Sequence, residues 1–184
     1  MLRLFFALQP ALEQCRALQE LATPLVAQLG AQTVPPDNLH ATLMFVGAVP
    51  EERLADLKSV GAATRAGVAT LRFDALEYWR KPKIICATAT DEVAAEPARV
   101  LAQRLGEGAL AAGFTPDIKP FRPHLTLARK VRAARALAHA WPQALEPGFV
   151  LRCEKFALME SRQGERGSIY SVVESWPLYA DESA

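Results

Sequence analysis

Two of the three histidines in this chain begin the same four-residue pattern. His40 is followed two positions later by Thr42, and His124 by Thr126, each within an apolar run. Because side chains alternate along a strand, this spacing places each histidine and its threonine on one face. Two imidazoles supply a proton donor and a proton acceptor, and two hydroxyls supply donors to charged oxygens. The set suits reactions of phosphate esters without a metal.

The repetition makes the pattern specific. The chain has nine threonines, so one follows a given histidine at this spacing with a chance of roughly 5%. The alternative is that each histidine serves only local hydrogen bonding, which we favour for either one alone but not for the pair. One pattern lies in each half of the chain, which predicts two similar lobes facing each other across a cleft. His139 receives no role.

Other site types fit the sequence less well. Zinc sites use three or four ligands, often with two on one element, but no second histidine lies within four positions of His40 or His124, and Asp37 is the only carboxylate beside either pattern. The glycine-rich phosphate loops and the Gly-x-Ser-x-Gly nucleophile turn are missing. We therefore expect neither a metal nor a cofactor.

Composition limits the partners and the compartment. The net charge of +1 argues against a general electrostatic grip on long nucleic acid, although a short RNA end held locally remains open. The three cysteines are far apart and form no Cys-x-x-Cys, which favours buried, reduced thiols over a catalytic one. No apolar run approaches the ~20 residues that span a bilayer. We expect a soluble, cytoplasmic monomer with no membrane contact.

The order of elements predicts the fold class. Hydrophobic periodicity, prolines and glycines indicate strands over residues 2–8, 39–47, 70–78, 83–90, 124–128, 149–160 and 168–178, and helices over 10–30, 51–66, 97–112 and 132–140. This order favours an α+β fold with mainly antiparallel sheets, helices packed outside, and the two histidine strands lining a shared groove. We expect residues 1–184 to form a single two-lobed domain.

Further side chains are candidates for binding substrate. Arg129 has a guanidinium that suits phosphate, but strict alternation places it on the face opposite His124 unless the strand bends or bulges. Arg122 lies in a basic, proline-rich loop, and the ring of Phe45 can stack on a nucleobase. Core packing is the alternative for Phe45, and a solvated loop for Arg122. Weaker candidates are Phe6, Trp79, Lys119 and the loop with Arg162 and Arg166.

Nearly the whole chain resembles a known group of proteins. The two His-x-Thr-x patterns match the signature of the two-histidine (2H) phosphoesterase superfamily. Within it the chain is similar to the bacterial and archaeal RNA 2′,3′-cyclic phosphodiesterases, also named 2′-5′ RNA ligases. The similarity is carried by residues 37–47 and 120–129 around the histidines, and less specifically by residues 3–8, 156–161 and Tyr170.

The resemblance implies a bilobal fold with pseudo-twofold symmetry and a central groove. It implies opening of a terminal RNA 2′,3′-cyclic phosphate to a 2′-phosphate, with His40 as proton donor, His124 as proton acceptor and Arg129 as a phosphate contact. The expected partners are RNA ends with a cyclic phosphate, or cyclic nucleotides. Three alternatives remain: 2′-5′ RNA ligation, cleavage of 2′,5′-oligonucleotides, and a non-catalytic module that binds nucleotides or RNA ends.

Overall fold

A computed structural model describes residues 1–117, 119–165 and 167–179. Within these ranges the chain forms nine strands and four α-helices, with 3-10 turns at Pro36–Asn38 and Glu51–Arg53. The strands are β1 (Leu2–Leu8), β2 (Gln32–Thr33), β3 (Ala41–Val49), β4 (Ala69–Trp79), β5 (Ile84–Thr88), β6 (His124–Arg129), β7 (Gln143–Cys153), β8 (Lys155–Gly164) and β9 (Gly167–Pro177). The helices are α1 (Leu12–Leu29), α2 (Leu54–Ala63), α3 (Glu96–Ala111) and α4 (Ala133–Ala136).

The strands form two antiparallel sheets. The first sheet has the order β3-β1-β8-β9, and the second has the order β2-β6-β5-β4-β7. Every pairing between these strands is antiparallel. The predicted α+β class with antiparallel sheets is therefore confirmed.

The two sheets repeat one arrangement. In the first, β1 leads through α1 to β3, its antiparallel neighbour; in the second, β5 leads through α3 to β6, which also pairs beside it. Each helix contacts the histidine strand of the other sheet, α1 against β6 and α3 against β3. This exchange relates the halves by a pseudo-twofold arrangement and places the starts of β3 and β6 in a common region.

Alternation along β1 separates the core from the groove. Leu4, Phe6 and Leu8 belong to the large core beneath the helices, whereas Phe5 and Ala7 point to the opposite face. There they form a small separate cluster with Ala157 and Met159 of β8, covered by Tyr170 of β9. Phe6 packs on Phe156 and Trp176, so core packing, not base stacking, is its role.

The helices bury stripes that follow the 3.6-residue period. On α1 the buried positions are Cys15, Leu18, Ala22, Val26 and Leu29, spaced three or four residues apart. Gly30 ends α1 in the left-handed region with φ 57°, and its N–H donates to the last turn. The predicted end of this helix is confirmed.

Several predicted boundaries are wrong. The expected strand 149–160 divides at Glu154, where β7 of the second sheet ends and β8 of the first begins. A break of one residue leaves the hydrophobic run continuous, so periodicity does not detect it. The expected loop 161–167 is strand as far as Gly164, and the expected helix 132–140 is reduced to α4. The short β2 was not expected.

Two sequence expectations extend to residues outside the described ranges. The predicted domain of 1–184 includes residues 180–184, and the predicted basic loop includes Arg166; both lie outside the described residues. No helix in the described ranges is long and apolar enough to cross a membrane.

Candidate active site

Both histidines are held by the same main-chain hydrogen bond. His40 directly precedes β3, and its Nδ1 lies 2.7 Å from the carbonyl oxygen of Asn38. His124 begins β6, and its Nδ1 lies 2.8 Å from the carbonyl oxygen of Arg122. Because a carbonyl oxygen only accepts, each Nδ1 carries the hydrogen and each Nε2 is left for chemistry.

The residues that supply these carbonyls are themselves tied to distant strands. The side-chain amide of Asn38 donates to the carbonyl of Ser168 on β9 at 3.2 Å. The guanidinium of Arg122 donates to both carboxylate oxygens of Glu77 on β4, at 2.6 and 2.7 Å. Each imidazole is therefore oriented by a residue two positions earlier whose own side chain is anchored across its lobe.

A β-bulge in β6 brings Arg129 to the histidine face. Thr126 pairs with Cys86, but Ala128 pairs with Ile85, which directly precedes Cys86, so β6 has one extra residue. Leu127 and Ala128 are both buried, and Arg129 then lies on the same side as Thr126. The strict alternation that placed Arg129 on the opposite face does not hold.

An equivalent irregularity occurs in β3. Two consecutive residues of β1 pair with Thr42 and Met44, which leaves Leu43 as the extra residue. Leu43 and Met44 are both buried, while Phe45 is 53% exposed and lies 5.7 Å from the ring of Phe5. Phe45 thus follows His40 at the same interval as Arg129 follows His124, and both lie on the groove side of their strands.

His40 is enclosed by aromatic rings. The ring of Phe5 lies 5.0 Å from it, and Tyr170 contacts it edge-on at 4.7 Å. Burial lowers the pKa of His40 to about 4; the bond to Asn38 opposes this shift, and the charges of Arg129 and His124 add to it. His40 is therefore neutral in the free protein at pH 7.

Tyr170 connects the two sheets at the site. Its ring packs on His40 in the first sheet, while its hydroxyl accepts a hydrogen bond from Arg129 of the second at 3.2 Å. The charge of Arg129 lowers the pKa of both His40 and His124. The two histidines and Arg129 therefore share one groove between the sheets.

His124 has a more polar setting, built around one carboxylate. Its ring lies 4.6 Å from that of Trp79, and the guanidinium of Arg122 lies over the same indole, 5.1 Å from the ring centre. Glu77 accepts from Trp79 Nε1 at 2.9 Å and from Thr88 at 3.2 Å, besides its bonds from Arg122. Burial raises the pKa of Glu77, but these bonds and the Arg122 charge outweigh burial and hold the pKa below its usual value, so the side chain is an anion.

The pKa of His124 is also lowered, for opposing reasons. Burial lowers it most, and the charges of Arg122 and Arg129 lower it further. The hydrogen bond to the Arg122 carbonyl and the negative charge of Glu77 raise it. The carboxylate thus distinguishes His124 from His40, which has no acidic neighbour among the causes of its shift.

The remaining candidates fall into two groups. The hydroxyl of Thr126 lies 3.9 Å from the thiol of Cys86, and burial raises the pKa of that thiol to about 12, so it stays protonated. Thr42 is half-buried in β3, two residues after His40. Outside the site, Lys119 pairs with Asp117, Arg162 pairs with Glu160, and His139 packs near Trp141.

Sequence reasoning missed Tyr170, Glu77 and the side chain of Asn38 as parts of the site. Each acts through a partner between 41 and 130 residues away in the chain, and no local pattern indicates such contacts. In the described part of the chain, no three His, Cys, Asp or Glu side chains group as metal ligands. The expected lack of a metal stays a prediction.

Comparison with known proteins agrees with the family and the activity expected from the sequence. Residues 7–165 match the 2′-5′ RNA ligase superfamily. An RNA 2′,3′-cyclic phosphodiesterase of Thermus thermophilus is 34% identical over 184 aligned residues, 96% of this chain and 90% of that protein. The Escherichia coli protein of the same name is 28% identical and covers 96% of each chain. The crystal structure of TT0787 of T. thermophilus matches with a TM-score of 0.74 at 32% identity, covering 97% of this chain and 99% of that one.

We predict that Glu77→Gln lowers the pKa of His124 and leaves that of His40 nearly unchanged. The amide retains the shape of the carboxylate but removes the negative charge that favours the imidazolium of His124. NMR titration of the imidazole resonances measures both values. Glu165→Gln, at an exposed turn, is the control. An unchanged or raised His124 pKa in the Glu77 variant contradicts this description of the site.

Proposed function

Because the chain belongs to the 2′-5′ RNA ligase superfamily, we propose that it hydrolyses terminal RNA 2′,3′-cyclic phosphates to 2′-phosphomonoesters without a metal. One observation supports this most strongly. His40 and His124, each with Nε2 left for chemistry, lie on facing sheets with Arg129 in the same groove. An anionic ester bound there has an acid, a base and a cation around its phosphorus.

The reaction needs one proton transfer at each histidine. Water attacks phosphorus opposite the ribose 3′ oxygen, and Nε2 of neutral His124 accepts the proton of that water. The new P–O bond forms as the P–O3′ bond breaks, and Nε2–H of protonated His40 donates to the leaving oxygen. The products are a 2′-phosphate and a free 3′ hydroxyl. We take the direction, His40 as acid and His124 as base, from the family.

The electrostatics of the free site oppose a protonated His40, because burial and the charge of Arg129 lower its pKa to about 4. Substrate changes the balance. A phosphate anion between the rings favours the charged form of both imidazoles and offsets the charge of Arg129. The low pKa of His40 also makes its imidazolium a stronger acid towards the leaving oxygen once it is protonated.

Three groups are proposed to stabilise charge on the non-bridging oxygens. The hydroxyls of Thr42 and Thr126 donate hydrogen bonds from the two sheets, and the guanidinium of Arg129 supplies a fixed positive charge. Tyr170 orients Arg129 by accepting its Nη2 hydrogen bond. Fixed donors of this type strengthen as negative charge grows in the transition state.

The base of the terminal nucleotide is proposed to lie against the exposed ring of Phe45. Arg122 is proposed to border the substrate, because its bonds to Glu77 use only Nη2 and leave other N–H groups of the guanidinium. We propose that RNA ends and cyclic nucleotides are the ligands of a cytoplasmic monomer. Its free cysteines, Cys15, Cys86 and Cys153, are buried thiols of the kind that a reducing compartment maintains.

His40→Ala and His124→Ala are expected to lower kcat for a 2′,3′-cyclic nucleotide by about 10²-fold or more each, because each variant removes a proton-transfer group. Product analysis should give only the 2′-phosphate with the native protein, and excess EDTA should leave its rate unchanged. His139→Ala is the matched control and should retain native turnover. Near-native turnover in either site variant, or loss of activity in EDTA that zinc restores, contradicts the mechanism.

Direct product formation also separates the alternatives. A non-catalytic binding module gives no product. A 2′-5′ ligase gives a 2′-5′ linkage only when a 2′,3′-cyclic phosphate end and a 5′-hydroxyl end are both supplied, because the 5′ oxygen then replaces water in the attack on phosphorus and the P–O3′ bond breaks. A substrate panel with both ends, and with 2′,5′-linked oligonucleotides, distinguishes them.

The direction of proton transfer predicts a differential effect of sulfur at the leaving position. A 3′-thio cyclic phosphate releases a thiolate that needs little protonation. The factor by which His40→Ala lowers kcat should therefore be at least about tenfold smaller for the thio substrate than for the oxygen substrate. His124→Ala should lose equal activity on both substrates, because His124 activates the attacking water and does not act on the leaving group. The reverse pattern, with rescue of the His124 variant, would exchange the two roles.

The lowered pKa values predict an acidic optimum for kcat/KM. This parameter reports the free protein, whose limits are the His40 pKa of about 4 and a His124 pKa below its usual value. The value of kcat/KM therefore rises as pH increases through the lower of these two pKa values, and falls as pH increases through the higher one. The kcat profile should lie at higher pH because bound phosphate raises both values. A kcat/KM maximum above pH 7.5 contradicts these electrostatics.

A further inference from the structure

Two lysines occupy a backbone conformation that otherwise belongs to glycine in this protein. Among the residues that the structure describes, φ is positive at five glycines and at two other residues, Lys83 (54°) and Lys130 (55°). Glycine adopts this left-handed region with little strain, whereas a lysine is strained there. Strained residues of this kind concentrate at binding sites.

The two lysines are neighbours at one end of the second sheet. Lys83 directly precedes β5 and Lys130 directly follows β6, and these strands are antiparallel partners. The N–H of Val131 donates to the carbonyl of Lys83 at 3.0 Å, which joins the two turns. Like charges at adjacent positions repel each other, so this arrangement is least costly with an anion between them.

Both lysines line a cavity that adjoins the histidine groove. Its volume is about 290 Å³, near the lower end of the range for small-ligand pockets. Arg129, Tyr170 and Asn38 also line it, and all three contact or orient the catalytic groups described above. No aspartate or glutamate is among its described lining residues.

Positive charge along the groove is unequal at its two ends. Next to His124, Arg122 is paired with Glu77. Beyond Arg129, neither Lys83 nor Lys130 forms a salt bridge with any residue in the described ranges. Among the described residues, an extended anion that enters the groove therefore meets cations without a carboxylate partner at the Arg129 end.

We propose that the cavity of Lys83 and Lys130 binds the phosphodiester on the 5′ side of the terminal nucleotide, so that the protein prefers RNA ends to cyclic mononucleotides. This inference rests on the proposed function. The terminal cyclic phosphate lies between the histidines, and the preceding phosphodiester reaches the lysines past Arg129. The two lysines then act as determinants of substrate length and take no part in proton transfer.

The test compares adenosine 2′,3′-cyclic phosphate with the dinucleotide ApA that ends in a 2′,3′-cyclic phosphate. The native protein should have a higher kcat/KM for the dinucleotide, mainly through KM. A dinucleotide with an uncharged methylphosphonate linkage should lose this advantage without any change to the protein. Equal kcat/KM for the charged and uncharged dinucleotides overturns the proposal.

Variants assign the effect to the lysines. Asparagine tolerates the left-handed region, so Lys83→Asn and Lys130→Asn remove charge while keeping the backbone. Each should raise KM for the charged dinucleotide about fivefold, several times more than it changes KM for the mononucleotide. The salt dependence of binding should weaken in parallel. Lys81→Asn, in the same turn but outside the cavity, should leave KM unchanged for both substrates.

The outcomes separate this inference from the proposed function. If the native protein turns over neither substrate, the proposed function fails. If it turns over both equally, or if the two lysine variants affect both substrates alike, the function stands and the phosphodiester site is wrong. A preference for the dinucleotide that the Lys81 variant also loses points to general charge attraction and likewise overturns the site.

Discussion

The hydrogen bond from each Nδ1 to the carbonyl two residues earlier determines what this site can do. It fixes the tautomer and the ring direction, and so decides that Nε2 is the nitrogen left for chemistry at both positions. The bond depends on the turns before the strands, which are anchored by Asn38 to Ser168 and by Arg122 to Glu77. The sheets, the bulges and the exchanged helices are the means by which two such units face each other.

The two units are alike in geometry and unlike in electrostatics. His40 is enclosed by Phe5 and Tyr170, with only cationic groups acting on it through charge, whereas His124 has the carboxylate of Glu77 nearby. A duplicated strand pattern thus produces two groups with different proton affinities. Such a difference is what a reaction needs when one group donates a proton and the other accepts one.

How much the sequence predicts depends on the range of the interaction. The antiparallel α+β class and most element positions follow from local periodicity and are confirmed, because alternation and capping are local properties. The roles of the His–Thr pairs stay a prediction. The orientation of Arg129 and Phe45 depends on β-bulges. These bulges arise from the register in which β6 pairs with β5 and β3 pairs with β1, and the sequence of β6 or β3 alone does not indicate them. Tyr170 and Glu77 meet their partners only through the tertiary fold, and the change of sheet at Glu154 interrupts the strand for one residue. No periodicity reports these features.

Nitrogen-15 NMR of the imidazoles tests the central claim most directly, because it separates Nδ1–H, Nε2–H and doubly protonated rings. In the free protein at pH 7, both His40 and His124 should be neutral and protonated at Nδ1. Addition of a nucleoside 2′-monophosphate should move both towards the doubly protonated form, while His139 is unaffected. An Nε2–H tautomer at either site histidine, or a histidine that does not respond to the nucleotide, would contradict a shared groove in which two Nε2 atoms act on one phosphate.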